Sequence, residues 1–174
     1  AEFYGRFTEW TPWSPDGRHL IFFAQTPDSG LRLGLARVAD GRVRWLPTGG
    51  GVWDHTSVEW APDGRRVAVS RLSRDFRRKQ LTIWDVRRDR TTVVHEDSDP
   101  KWVDHNILPG FGSDWSPDGT RLAFITNRSG WRRAYIMDLS RGTARPVTGD
   151  GFDTGTVWWA PDGTRLLVAS NQGS

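Results

Sequence analysis

The chain has 174 residues, 36% of them hydrophobic and 26% charged, and this composition excludes a disordered chain and predicts a soluble globular one. No apolar stretch approaches the roughly 20 residues of a membrane-spanning helix, so we expect no membrane partner. The 24 basic and 21 acidic residues nearly balance at a net charge of +3 and are interspersed, which favours a solvated surface over a groove for nucleic acid.

Cysteine is absent, which excludes disulfides, a thiol nucleophile and thiolate metal sites. The opening residues 1–7 contain no apolar core of a secretory signal. The sequence therefore leaves the compartment undetermined, with the cytoplasm slightly favoured and the periplasm still open.

A short phrase, Trp-Ser/Ala-Pro-Asp-Gly, occurs four times along the chain. Its copies are Trp13 with Asp16 and Gly17, Trp60 with Asp63 and Gly64, Trp115 with Asp118 and Gly119, and Trp159 with Asp162 and Gly163. Successive tryptophans are 47, 55 and 44 residues apart, a period typical of propeller blades or helical arrays. Pro-Asp-Gly is the chemistry of a tight hairpin turn, and this favours the propeller.

The segments after each turn have the composition of β-strands. The second strands are predicted at 19–25, 66–72, 121–127 and 165–170, the third at 31–38, 80–86 and 133–139, and the fourth at 42–48, 91–94 and 143–148. Four antiparallel strands in a repeat make a propeller blade. The prediction is one all-β propeller segment, residues 1–174, with units at about 9–48, 56–94, 111–148 and an incomplete 156–174.

Three and a half blades do not close a ring, because a propeller typically needs four to eight complete blades. Open ends expose apolar faces and strand edges. We therefore expect either self-association through the open blade ends or cover from further parts of a parent chain. Residues 1–7, with Phe3, Tyr4 and Phe7, are the natural candidate to pair with the incomplete fourth unit.

The repeat resembles the TolB-like, WD40-like PD40 repeat of periplasmic TolB proteins and of the N-terminal propeller domains of prolyl oligopeptidase family serine peptidases. Three segments are most similar to the dipeptidyl-peptidase-like and acylaminoacyl-peptidase-like forms of these peptidases. They are Asn-Arg-Ser-Gly-Trp followed by Arg-Arg-Ala-Tyr at 127–135, the acidic stretch ending in Trp-Val-Asp at 93–104, and Val-Thr-Gly-Asp-Gly at 147–151.

The resemblance implies a non-catalytic propeller that gates and orients a peptide substrate for a separate hydrolase domain. In that family the catalytic serine lies in a Gly-x-Ser-x-Gly elbow, which these 174 residues lack; 110–114 has the wrong order. We therefore expect no catalytic residue and no cofactor in this chain. The alternative is a TolB-like scaffold that binds proteins without enzymatic activity. A third, weaker alternative is a small propeller with its own active site in the channel.

Glu59 and Asp114 immediately precede repeated tryptophans. Because the first strand of a blade is innermost in a propeller, both carboxylates are candidates for lining the channel and contacting substrate. The favoured interpretation is a structural one, in which each carboxylate pairs with backbone or arginine at a blade junction.

Two charged segments complete the candidates. His95, Glu96, Asp97, Asp99, Asp104 and His105 form the densest ionisable cluster, in which Glu96 and Asp104 are candidate substrate contacts; an exposed acidic loop is the favoured interpretation. The cluster lacks the spacing of a calcium loop or a zinc site, so we predict no metal. The basic run 70–80 could contact an acidic partner, although an exposed loop between the second and third strands is favoured.

Overall fold

The structure is a computed structural model that describes residues 13–26, 30–47, 53–104 and 113–171. Within these ranges it contains thirteen β-strands and no helix, which confirms the predicted all-β class. The strands are β1 (His19–Thr26), β2 (Gly30–Arg37), β3 (Val43–Trp45), β4 (Trp53–Trp60), β5 (Arg66–Ser73), β6 (Arg78–Asp85), β7 (Arg90–Ser98), β8 (Ser113–Trp115), β9 (Arg121–Thr126), β10 (Arg133–Asp138), β11 (Thr143–Pro146), β12 (Thr154–Trp159) and β13 (Leu166–Ser170).

The strands form four antiparallel sheets in sequence order, here called blades 1 to 4. Blade 1 is β1-β2-β3, blade 2 is β4-β5-β6-β7, blade 3 is β8-β9-β10-β11 and blade 4 is β12-β13. The chain has two compact units, residues 1–105 with blades 1 and 2 and residues 106–174 with blades 3 and 4. Most of the expected first strand of blade 1, and the segment 1–7, lie outside the described residues. None of the described residues forms a helix that could span a membrane.

The four Pro-Asp-Gly segments form hairpin turns of one geometry. Their glycines have φ between 64° and 68°, the left-handed region that costs glycine least; these are Gly17, Gly64, Gly119 and Gly163. Each turn aspartate accepts the backbone N–H two residues later, at 2.9–3.0 Å. Local hydrogen bonding therefore accounts for the repeated aspartates without a catalytic role.

The Ser116 hydroxyl donates to Asp118 at 2.6 Å in the third turn. This bond, followed by the bonds from Thr120, lowers the pKa of Asp118 to about 2. The first turn has the equivalent bond from Ser14 to Asp16 at 2.6 Å, which lowers the pKa of Asp16. The carboxylates therefore stabilise the turns in their charged form.

The apolar cores lie where neighbouring blades pack face to face. Trp60 joins residues of blades 1 and 2 in one core that includes Ile21, Leu33, Leu35, Val58, Val67 and Trp84. Trp159 joins blades 3 and 4 in another, with Ala123, Ile125, Ile136 and Val157. Trp60, Trp115 and Trp159 are buried at 4–9% exposure, whereas Trp13 is 47% exposed. Trp60 and Trp159 thus fill gaps between adjacent blades.

The outer strand of blade 2 is longer than the sequence pattern suggests. The sequence predicts a strand at 91–94, but β7 extends to Ser98, which pairs with Arg78 at the start of β6. Because β6 is a long strand, its free backbone groups continue the ladder beyond the apolar residues of β7. His95, Glu96 and Asp97 therefore lie on a strand, and the expectation of an acidic loop is wrong for these three residues.

Candidate functional site

The two carboxylates expected at the channel lie on first strands, each beside a repeated tryptophan. Glu59 is on β4 and Asp114 is on β8, and both are half-buried. Asp114 accepts a hydrogen bond from the backbone N–H of Trp159 on β12. In the second unit, Asp114 thus ties the first strands of blades 3 and 4 together, the arrangement of a blade-junction carboxylate.

Glu96 and Asp104 lie elsewhere in the first unit. Glu96 is on β7, the last strand of blade 2, and Asp104 follows this strand and is partly buried. Glu59, on the first strand of the same sheet, is three strand spacings from β7, or about 14 Å at the usual separation. Glu59 and Glu96 therefore do not share one site.

The structure brings Glu96 instead into a network across three strands of blade 2. Arg71 on β5 is 5% exposed, and its Nε donates to Gln80 Oε1 on β6 at 2.9 Å. The Gln80 amide in turn donates to a carboxylate oxygen of Glu96. The network, Arg71–Gln80–Glu96, presents opposite charges at its two ends. Burial, and then the nearby charge of Arg78, lower the pKa of Arg71, whereas Glu96 acts in the opposite direction.

An aromatic ring supports the arginine end of this network. Trp53, at the start of β4, is 4% exposed. The guanidinium carbons of Arg71 and Arg78 lie 4.5 and 5.0 Å from the centre of its ring. Cation–π contacts of this kind hold a buried guanidinium in place without neutralising it. The ring therefore fixes the position of the Arg71 charge.

The same end of blade 2 carries a β5–β6 hairpin that imitates the repeated turn. Asp75 accepts the Ser73 hydroxyl at 2.6 Å, and Phe76 has φ 59° where the other turns place glycine. The segment after β7 folds back onto this turn, because the Val103 N–H donates to the Phe76 carbonyl at 2.7 Å. Phe76 and Trp102 are 44% and 61% exposed, so this end presents apolar rings among basic side chains.

Sequence reasoning missed Arg71, Gln80 and Trp53. The composition of the run 70–80 predicts an exposed loop, but its two ends are strands and only residues 74–77 form the turn. The sequence thus predicts the order of the second and third strands correctly, but each predicted strand is shorter than the observed one. Pairing of Arg71 with Gln80 follows from the strand register, which the composition of the run does not reveal.

This end of blade 2 supplies groups that bind charged and apolar partners. Arginine and carboxylate recognise opposite charges, and exposed rings contact apolar side chains. His95 Nε2 lies 2.9 Å from Asp97 Oδ1 on β7, a contact that holds the ring against the strand. Across the part of the chain that the structure describes, no group of three histidine or acidic side chains could hold a metal ion.

Known proteins share the sequence features of this propeller segment. The model of the dipeptidyl peptidase IV (DPP IV) N-terminal region matches residues 23–155. The uncharacterized peptidase YuxL of Bacillus subtilis is 31% identical over 121 residues, which are 68% of this chain and 17% of the relative. The chain thus spans about a sixth of that peptidase.

Solved structures share the fold at lower identity. Porphyromonas gingivalis dipeptidyl peptidase 4 superimposes with a TM-score of 0.70 at 15% identity, covering 87% of this chain and 26% of that one. TolB from Acinetobacter baumannii gives 0.66 at 22% identity, covering 91% and 37%. These similarities confirm the all-β, TolB-like partial propeller. The family match carries the assignment further: the chain belongs to the dipeptidyl peptidase IV N-terminal region family.

Proposed function

We propose that this chain is a non-catalytic propeller segment of a prolyl-oligopeptidase-like serine peptidase. In this role it gates and orients peptide substrates for a hydrolase domain outside residues 1–174. The observation that carries the proposal is the match to the dipeptidyl peptidase IV N-terminal region over residues 23–155. The similarity to a Bacillus subtilis peptidase over 121 residues supports the same assignment.

The chemistry of blade 2 is consistent with orienting a peptide. Glu96 is exposed, and its carboxylate, held in place by the Gln80 amide and the buried Arg71, is available to a peptide amino group. The network of these three residues contains no serine, cysteine or lysine that could serve as a nucleophile. The sequence also lacks a Gly-x-Ser-x-Gly elbow. A supply of binding groups without a nucleophile fits a domain that positions a substrate for another.

The reading frame beyond Ser174 and a serine-reactive fluorophosphonate probe test the proposal together. The 174-residue chain should remain unlabelled and should not hydrolyse peptides. A parent protein extended beyond Ser174 should contain the elbow, and the probe should label one serine there. Stoichiometric labelling of a serine within residues 1–174 would overturn the non-catalytic role. Further blades alone beyond Ser174 would replace it with the TolB-like binding scaffold.

If the propeller gates the substrate, variants of the Arg71–Gln80–Glu96 network should change the kinetics of the parent peptidase. Replacing Arg71 with Gln should raise KM for peptide substrates and leave kcat for a small activated ester nearly unchanged, because the ester needs no orientation by the propeller. Arg74→Gln, at an exposed position of the same hairpin, is the matched control. Equal loss of both activities in the Arg71 variant would show that the network serves folding alone.

Blade 4 motivates a proposal about self-association. Its β13 pairs with β12 and with no other described strand, and its Leu167 and Val168 are 60% and 37% exposed. We propose that a second copy covers this edge in the 174-residue chain, because an unpaired apolar edge favours strand addition. Light scattering should show a dimer at micromolar concentration, and a monodisperse monomer that unfolds cooperatively would contradict it.

A further inference from the structure

A cleft of about 480 Å³ opens between blades 1 and 2 of the first unit, at the end that holds the Pro-Asp-Gly turns. Leu35 and Val86 supply apolar surface inside it, and five arginines surround it: Arg37, Arg42, Arg44, Arg65 and Arg87. The cleft lies at the opposite end of blade 2 from the Arg71–Gln80–Glu96 network. Its role is therefore separate from the function proposed above.

Three of these arginines differ from the other two in their ion pairing. Among the described residues, the side chains of Arg44, Arg65 and Arg87 form no ion pair, whereas Arg37 and Arg42 share Asp40. The neighbouring acids are already engaged outside the cleft, Asp63 with Arg66 at 2.8 Å and Asp85 with Arg88 at 3.1 Å. The rim is thus strongly positive next to an apolar interior.

The corresponding junction between blades 3 and 4 shows why this one is open. Arg121 follows the turn of blade 3; its guanidinium carbon is 4.4 Å from the centre of the Trp159 ring, and its Nη2 donates to the Gly163 carbonyl at 2.9 Å. His19 holds the equivalent position in blade 1. Its ring centre lies 6.5 Å from that of Trp60, and its buried Nδ1 has no hydrogen-bond partner among the described residues. The shorter histidine leaves open the space that arginine spans in the second unit.

The order of acid and base after the third strand differs between the blades. Asp85 and Asp138 end the third strands of blades 2 and 3, where each pairs with an arginine three residues later, Arg88 and Arg141. Blade 1 has the reverse order, with Arg37 at the end of the strand and Asp40 three residues later. The strand register confirms the equivalence, because Arg37 faces His19 as Asp138 faces Arg121. Blade 1 therefore has an arginine beside the cleft at the position where blades 2 and 3 carry an aspartate.

We propose that this cleft is a docking site for an acidic peptide segment with at least two carboxylates next to an apolar side chain. Guanidinium groups bind carboxylates with two parallel hydrogen bonds, and the arginines come from several strands and turns of two blades, which suits charges spread along a chain. The apolar interior can contact an apolar side chain of a peptide, a contact that inorganic phosphate cannot make. The volume lies in the usual range of binding pockets.

Binding of a fluorescein-labelled peptide, Asp-Glu-Leu-Asp-Glu, to the 174-residue chain tests the proposal by fluorescence anisotropy. The triple variant Arg44→Gln, Arg65→Gln, Arg87→Gln should weaken binding by about tenfold or more, since it removes three guanidinium groups that would pair with peptide carboxylates. The matched control is Arg74→Gln, Arg77→Gln, Arg128→Gln, which removes the same charge from exposed residues that do not line the cleft. It should change the dissociation constant less than about twofold.

His19→Arg separates docking in the cleft from general attraction. It adds a positive charge, yet it should weaken peptide binding, because the new side chain can extend over Trp60 towards Gly64 and fill the cleft as Arg121 does in blade 3. Circular dichroism and thermal unfolding check that each variant remains folded. Tighter binding by His19→Arg would overturn the proposal.

Three other outcomes would also overturn it. They are equal losses in the two triple variants, equal binding of the neutral peptide Asn-Gln-Leu-Asn-Gln, and saturable binding of inorganic phosphate or polyphosphate without binding of the acidic peptide. None of these readouts depends on peptidase activity, so failure of the docking site and failure of the peptidase role are distinguishable.

Discussion

The junction of blades 1 and 2 and the junction of blades 3 and 4 are built from the same repeat but closed to different degrees. In both, the turn of the later blade packs against the turn proline of the earlier one. A Cβ added at Gly64 would lie 3.6 Å from Pro15, and one at Gly163 would lie 3.5 Å from Pro117. Beyond that shared contact, Arg121 bridges the second junction, whereas His19 leaves a cleft in the first.

This difference shows which residues of the repeat are common to both junctions and which residue varies between them. In both junctions, the buried tryptophan and the contact between the turn proline and the turn glycine keep the two adjacent sheets packed together. The residue that follows the turn decides whether the outer part of the junction is filled. A change at one position in a blade can therefore open a cleft without disturbing the core. Substitutions at the buried tryptophans and at the residue after the turn test this difference between the junctions.

The largest effect is expected at the shared tryptophans. Trp60→Ala and Trp159→Ala should each destabilise the chain by about 3–5 kcal/mol, because both remove a large side chain that is less than 10% exposed. Urea unfolding followed by circular dichroism measures the loss. Trp158→Ala is the matched control, since that ring is 46% exposed, and it should cost about 1 kcal/mol or less. A large effect at only one of the two buried tryptophans would break the equivalence of the junctions.

A smaller and asymmetric effect is expected at the position after the turn. Arg121→Ala should destabilise by about 1–2 kcal/mol, because it removes a charged hydrogen bond to Gly163 and a cation–π contact with Trp159. His19→Ala should cost less than about 1 kcal/mol, since His19 lacks the hydrogen bond. Arg165→Ala, in an exposed ion pair with Asp162, serves as a control with little expected effect. Equal losses for Arg121→Ala and His19→Ala would show that His19 closes its junction as well as arginine does.

The smallest effect concerns the pH dependence of the turns. The pKa of Asp118, lowered from 3.8 to about 2 in the folded chain, gives stability that is present above pH 4 and lost as the pH falls towards 2. Ser116→Ala, which introduces the residue that blade 4 has as Ala160, should raise the pKa of Asp118 towards its ordinary value and reduce this acid sensitivity. Carboxyl NMR titration measures the change. An unchanged Asp118 pKa would mean that the hydrogen bonds from Thr120 are enough to lower it without Ser116.

Much of this architecture was readable from the sequence because its determinants are local. Pro-Asp-Gly fixes a turn through the conformations of three consecutive residues, and the apolar run after Gly119 forms β9 as expected. The family resemblance was readable for the same reason, since it depends on short segments beside those turns. These features need no knowledge of which strands pair.

The sites were harder to predict because they depend on residues that are distant in sequence. The buried arginine network joins Arg71, Gln80 and Glu96 through the register of β5, β6 and β7. Arg71 and Gln80 have the polar character of loop residues, and only the pairing of the strands places them in a buried position. The cleft depends on a contact that His19 does not make, which becomes visible only when its junction is set beside that of Arg121.

The hydrogen bond from the Trp159 amide to Asp114 has a consequence for cooperativity. A backbone proton of blade 4 is held by a side chain of blade 3, so local fraying of β13 does not release it, and its exchange with solvent requires the two inner strands to separate. Separation also leaves a half-buried carboxylate without that donor, which adds to the cost of opening. We therefore expect blades 3 and 4 to open as one unit, and slow hydrogen exchange at the Trp159 amide would report the coupling between these neighbouring repeats.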